Sequence, residues 1–176
     1  MRQLISDLKH RARRLHERAL SGDAQAFEQV RALPDLRKLD LDLVPDAIQR
    51  RHALSAVARE LGFSGWSHLT RVLHDRDLRD AGTLMHRESG GAYWNIWLAS
   101  YIEASSIRAE HGGYLLGYKS QFFVVERHFI ESIELDPDAP EWNAIGRDWC
   151  KPRDWGAWER ITAQAVRARL GRGIAV

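Results

Sequence analysis

Four of the chain's seven tryptophans fall within residues 142 to 158: Trp142, Trp149, Trp155 and Trp158. Each indole carries a large apolar surface and a single N–H, so a fold must either cover it or present it to a partner. The same stretch states Arg-Asp-Trp twice, at 147–149 and 153–155. The arginines and aspartates can pair with each other, cap a helix end or grip a polar partner. Whatever this chain folds into must therefore place a substantial core, or a substantial binding surface, against its C-terminal third. With 176 residues it is long enough to do so, since a chain of about 150 residues buries roughly two-thirds of its unfolded surface.

Charge narrows the partners only weakly. The net charge is +2, which gives no general pull toward nucleic acid or membrane. It is unevenly spread, however. Residues 1–18 hold Arg2, Lys9, Arg11, Arg13, Arg14 and Arg18 against Asp7 and Glu17, and no acid follows Glu159. Solvated helix faces account for both basic ends. Cys150 is alone, which excludes an intrachain disulfide, and Met-Arg-Gln-Leu at the start lacks the apolar stretch of a signal peptide. The expected setting is a reducing cytoplasm. No apolar run approaches the ~18 residues of a membrane helix, so no membrane association is expected.

Leu4, Ile5, Leu8, Ala12, Leu15 and Ala19 recur at three- and four-residue spacings, which predicts an amphipathic helix over 3–20. Gly22 ends it, Asp23 caps a second helix to about Leu33, and Pro34 stops that one. Residues 34–45 read as an extended linker packed by its leucines, although the alternation at 39–43 also fits a short strand. Asp46 then caps a helix to about Leu61 with Gly62 beyond its end. Ser64 opens another through about His74, burying Trp66, Leu69, Val72 and Leu73.

Within this region Ala58-Arg-Glu-Leu-Gly-Phe-Ser-Gly-Trp-Ser-His-Leu69, preceded by Gly22-Asp-Ala24, resembles a helix–turn–helix hairpin module of many bacterial proteins. That module carries an Ala-Arg-Glu-x-Gly-Phe-x-x-Trp-x-x-Leu core and commonly sits beside ankyrin repeats. The likeness spans about residues 20–75 and implies a helical interaction module rather than an enzyme. This chain has no Thr-Pro-Leu-His unit and no period near 33, so ankyrin repeats themselves are absent from it.

Residues 76–91 are polar and close with Ser89-Gly-Gly91. They read as a connection between a 1–75 module and a 92–176 lobe, with a short helix at 77–86. Trp94, Trp97, Leu98, Tyr101, Ile102 and Ile107 are spaced for one broad apolar face, predicting a helix from Ala92 to about Glu110. Tyr114 to Val125 combines β-branched and aromatic residues around Gly117–Ser120, which reads as a hairpin. A helix at 127–134, a turn at 136–140, a short helix at 140–146 and a terminal helix from Asp154 or Trp155 to about Leu170 complete the chain. The phrases Gly112-Gly-Tyr-Leu-Leu116, Gln121-Phe-Phe-Val124, Leu135-Asp-Pro-Asp138 and Ile145-Gly-Arg-Asp-Trp149 are similar to a bacterial family with no established activity. That likeness, over about 112–158, carries over no functional residue. The expected fold class is mainly α: a two-lobed helical domain with a small β-hairpin in its C-terminal half.

No catalytic constellation emerges. His10 and His16 are six apart, as are His68 and His74, which leaves each pair about 120° apart around a helix and unsuited to share a metal. Cys150 beside Lys151 has the makings of a reactive thiol, but a small side chain filling a gap beside Trp149 is the plainer reading. No phosphate-binding glycine motif and no Gly-x-Ser-x-Gly elbow occurs. The leading expectation is therefore a non-enzymatic cytoplasmic protein-binding or regulatory module without cofactor or metal. Its surface would centre on Tyr114, Tyr118, Arg147, Trp149, Arg153 and Trp155, tryptophan and arginine being enriched in binding hot spots. Two alternatives stand beside it. One is a small-molecule pocket or enzyme lined by Tyr114, Tyr118, Lys119, His128 and Trp149. The other is nucleic-acid binding through the basic N-terminal helices, with Arg50, Arg51, Arg59 and Arg71 on the hairpin. The plain alternative to the surface itself is that the tryptophans seal the last helix onto the core while Asp154 caps it.

Overall fold

Leu4, Ile5, Leu8, Ala12, Leu15 and Ala19, the apolar positions of the first periodic stretch, are all buried along one stripe of helix α1, Arg2–Leu20. The computed structural model describes residues 1–38, 47–86 and 95–171. The chain folds as two units, Met1–Asp75 and Arg76–Val176. The fold is mainly α, with eight helices among the described residues and a small antiparallel sheet in the C-terminal half.

In the first unit, α1 packs on α2 (Ala24–Arg31) and α3 (Arg50–Glu60), and α3 on α4 (Trp66–Leu73). The caps are legible residue by residue. Asp23 accepts the Ala26 N–H at 2.9 Å and so satisfies a free donor at the start of α2. Gly62 adopts φ +87°, while the Gly62 and Phe63 N–H groups return to the Arg59 and Ala58 carbonyls at 2.9 and 3.0 Å. That is a Schellman end, which favours glycine because its left-handed position carries no Cβ penalty. Glu60 joins three helices, accepting from Arg11 at 2.8 Å and from Gln29 at 3.1 Å. One expected core residue differs: Trp66 is only half-buried, and His68 is buried instead. The reason is local. The His68 imidazole accepts the Ser64 N–H at 3.1 Å and stands edge-on to Phe63 at 5.3 Å. The alternation at 39–43 and the Asp46 cap lie outside the described residues.

In the second unit the sheet runs β1 (Asn95–Leu98), β3 (Gln121–Val125), β2 (Tyr114–Tyr118), all antiparallel neighbours. Helix α5, Tyr101–His111, lies between β1 and β2 in sequence; α6 (Arg127–Ser132), α7 (Pro140–Ala144) and α8 (Trp155–Gly171) follow the sheet. The hairpin expected at 114–125 is present, turning through Lys119 at φ +53°. The helix expected from 92 to 110 is not continuous: 95–98 is a strand, and the helix begins only at Tyr101. Two causes act together. Trp97 pairs across the sheet with Phe123, the rings stacked at 4.7 Å and 15°, and Ser100 caps α5 by accepting the Glu103 N–H. Ile102 of that helix is 78% exposed, so the broad apolar face does not form. The beginning of that expected helix and Ser89–Gly91 lie outside the described residues.

The stretch read as a polar connection also folds differently. Residues 77–86 form turns rather than a helix, and Ala81, Leu84 and Met85 are buried. Its backbone clasps the hairpin turn, Ala81 N–H donating to Lys119 O at 2.9 Å and Lys119 N–H to Gly82 O at 2.7 Å. Gly117 makes close packing possible here: a Cβ at that position would stand 2.8 Å from the Ala81 Cβ and 3.3 Å from the Cys150 Sγ. The absent side chain lets the 149–150 segment and Ala81 both lie against β2.

Candidate functional site: the Arg-Asp-Trp repeats and an aromatic cleft

The two Arg-Asp-Trp triplets do different work. In the first, Leu115 N–H donates to Arg147 O and Trp149 N–H to Leu115 O, each at 2.9 Å, forming a parallel bridge beside β2. Arg147 reaches this position with φ +53° and lays its guanidinium over the Tyr114 ring at 5.3 Å. Asp148 is buried, one carboxylate oxygen accepting the Cys150 and Lys151 N–H groups at 2.9 and 2.8 Å. Its other oxygen accepts the Tyr101 hydroxyl at 2.6 Å. Burial, reinforced by that hydrogen bond and by the Asp148 charge, pushes the Tyr101 hydroxyl up to about 12. Trp149 is fully buried. Its N–H donates to Thr162 Oγ1 at 3.0 Å, and its carbonyl accepts the Trp158 N–H at 3.0 Å.

In the second triplet, Arg153 is exposed and lies against Gly146. Asp154 accepts the Ala157 N–H at 3.0 Å and so caps the first turn of α8. Trp155 is half-exposed, in edge contact with Trp158 at 5.3 Å.

Trp155 forms one wall of a cleft of about 510 Å³ lined by residues 76–79, Tyr101, Phe122, Cys150, Lys151 and Pro152. Tyr101 and Phe122 meet edge to face at 5.7 Å. Three cations line the cleft against one carboxylate, Asp77. Arg79 grips that carboxylate through two nitrogens, at 2.9 and 2.7 Å. Arg76 lies over the Trp155 ring at 4.8 Å and reaches Glu159 at 3.1 Å. Lys151 lies over the Tyr101 ring with its ammonium 3.9 Å from the centroid, and it has no ion-pair partner among the described residues. Burial, then the Asp148 charge, raises the Cys150 thiol well above its ordinary value, so the thiol lining this cleft stays protonated.

The six residues expected to form one surface are not gathered into one. Tyr114 is 4% exposed, donates its hydroxyl to Pro137 O at 2.8 Å and packs against Trp142 at 5.0 Å. Trp149 offers no surface at all, because its indole fills the space over Gly117. Tyr118 belongs to the sheet face of Trp97 and Phe123, at 5.3 Å from the Trp97 ring. Of the six, only Trp155 lines the cleft. The pocket expected around His128 does not converge either: His128 is exposed on α6 and pairs with Glu131 at 3.1 Å, while Lys119 sits over the Tyr118 ring at 5.2 Å. Sequence reasoning missed Tyr101, Phe122 and Arg76. Their only shared sequence signal is aromatic or basic character at separate points in the chain, and it is the fold that brings them together.

No family model, curated protein or solved structure matches this chain. Among the described residues no helix is long and apolar enough to cross a membrane, and no three His, Cys, Asp or Glu side chains converge as a metal ion would require.

Proposed function

We propose that this protein is a non-enzymatic binding module and that the cleft beside Trp155 is where it holds a small ligand. The observation that carries the reading is the cleft itself. About 510 Å³ walled by Tyr101, Phe122 and Trp155 lies in the size range of small-molecule sites, which are mostly apolar with a few placed polar groups. Its potential reactive groups are already engaged. The Tyr101 hydroxyl is held by Asp148, and the Cys150 thiol is neutral. The likeness of residues 20–75 to a helical interaction module also supports a role in binding rather than turnover.

A screen of small organic molecules, read by thermal shift and tryptophan fluorescence, tests this. Binders should raise the melting temperature, perturb Trp155 fluorescence and be recovered chemically unchanged. The thermal shift should vanish in Trp155→Ala, which removes one wall of the cleft. Hits that survive Trp155→Ala and Phe122→Ala bind elsewhere and would sink the assignment; a hit consumed in the assay would make the module an enzyme.

A second reading, protein contact, is favoured by one observation in the same unit. Trp97 is 40% and Ile102 78% exposed, apolar surface that a protein partner would cover.

A further inference from the structure

The charges around the cleft say more about its occupant than its volume does. We infer that the ligand is a small aromatic monocarboxylate, its ring between Tyr101, Phe122 and Trp155 and its carboxylate on the Lys151 ammonium. This rests on the cleft being the binding site.

Each polar group at the rim has a describable state. Arg79 is held to Asp77 through two hydrogen bonds. Arg76 is shared between Glu159 and the face of Trp155. Lys151 alone among the lining cations lacks a carboxylate among the described residues, and its ammonium is held over the Tyr101 ring, at 3.9 Å. A cation on an aromatic face keeps its charge available to an anion arriving from the open side. With Arg79 offset by Asp77 and Arg76 by Glu159, Lys151 is the lining cation left to favour an incoming anion over an incoming cation.

The same geometry argues against phosphate. Polyphosphates are usually held by backbone N–H groups at a helix start or in a glycine-rich loop. Here the Cys150 and Lys151 N–H groups are already taken by Asp148. The first turn of α8 is capped by Asp154, whose carboxylate is held below its usual value by the Ala157 and Gly156 N–H groups. Two aspartates thus already hold the backbone N–H groups that a phosphate would use, which leaves one ammonium and one singly charged ligand. The planar walls select the rest: offset or edge-to-face stacking favours a flat aromatic body over a branched aliphatic one.

Titration calorimetry of the full chain with 2-naphthoate, its neutral amide 2-naphthamide, the cation 2-naphthylmethylammonium and phenyl phosphate tests the proposal. 2-Naphthoate should bind about tenfold more tightly than the amide, the contribution expected of one charge-assisted hydrogen bond. The ammonium compound should bind more weakly than either. Lys151→Met should remove the preference for the acid while leaving the amide's affinity unchanged, a result that a mere loss of folding cannot produce. If the amide or the ammonium compound matches the acid, or Lys151→Met leaves the preference intact, the carboxylate assignment fails while the cleft remains a binding site. If phenyl phosphate binds best, the site is a phosphate site and the proposal is overturned. If no probe binds in a manner sensitive to Trp155→Ala, both the cleft reading and the proposal fall.

Discussion

At the scale of single residues, Asp148 does the most with the least. One buried carboxylate closes the 148–151 turn by accepting two backbone N–H groups and fixes Tyr101 from 47 residues away in sequence. Lys151, whose ammonium sits over that same ring, is thereby placed as well. Removing the carboxylate leaves two backbone donors and a phenol without their acceptor in a largely dry site. Asp148→Ala should therefore cost about 3 kcal/mol in urea unfolding, whereas Asp148→Asn, which keeps one oxygen for the backbone donors, should cost about 1 kcal/mol. Equal losses in the two variants would mean that packing, not hydrogen bonding, makes this residue matter. The Arg-Asp-Trp repeat was legible as a composition, but its meaning was not. The same three letters place Asp148 and Trp149 in the interior and Asp154 and Trp155 at a helix start, because only the first triplet lies alongside β2. Asp154 as a helix cap could be read from its position alone, since a cap depends on its immediate neighbours.

At the scale of elements, the helices of the first unit followed from the chain because their signals are local: an apolar stripe, a capping Asp23, and the glycines at 22 and 62 with positive φ. β1 did not. Trp97, Leu98, Tyr101 and Ile102 fit a helical stripe as well as a strand, and the deciding partner, Phe123, lies far away in sequence. Ser100 and Glu103 did carry a local clue, the Ser-x-x-Glu pattern of a helix start, which places the beginning of α5 where it is found. The start of α3 holds a testable pH response. Gln49 N–H donates to His52 Nδ1 at 3.0 Å, so Nδ1 is the acceptor, the neutral ring keeps its one proton on Nε2, and a second proton, on Nδ1, would break this bond. Burial first, then the Arg51 charge, holds His52 below its ordinary value, with Asp35 opposing. Folding thus favours the neutral ring. Above about pH 6.5 both states are neutral and the contribution is whole. As the pH falls below that, the unfolded chain takes up a proton that the folded one does not, and stability declines until the folded value is reached. Melting temperatures measured from about pH 8 to 5 should show this decline, and His52→Asn, which cannot titrate, should show less of it. Parallel curves for the two proteins would remove His52 as the source.

At the scale of the whole molecule, Arg76–Val176 holds a complete set of parts. The sheet, the buried indoles of Trp142, Trp149 and Trp158 with their N–H groups satisfied, and every residue lining the cleft belong to it. At this size, about 100 residues, a chain can bury enough surface to fold alone. Where such a fragment begins should decide the outcome. Residues 81–86 supply the backbone that clasps the hairpin turn at Lys119 and the carbonyls of Leu84 and His86 that accept from Arg169 on α8 at 3.2 Å. A chain starting at Arg76 should therefore unfold cooperatively in denaturant, keep the near-ultraviolet circular dichroism of packed tryptophans and retain binding at the cleft. One starting at Asn95 would lose Arg76 and Arg79 from the cleft and leave the hairpin turn and the end of α8 without their partners. It should show helical content without a cooperative transition. If the longer fragment also lacks that transition, residues 1–75 are needed to fold the remainder. If the shorter one folds as well as the longer, the 81–86 clasp is dispensable and the packing of the indoles alone holds the second unit together.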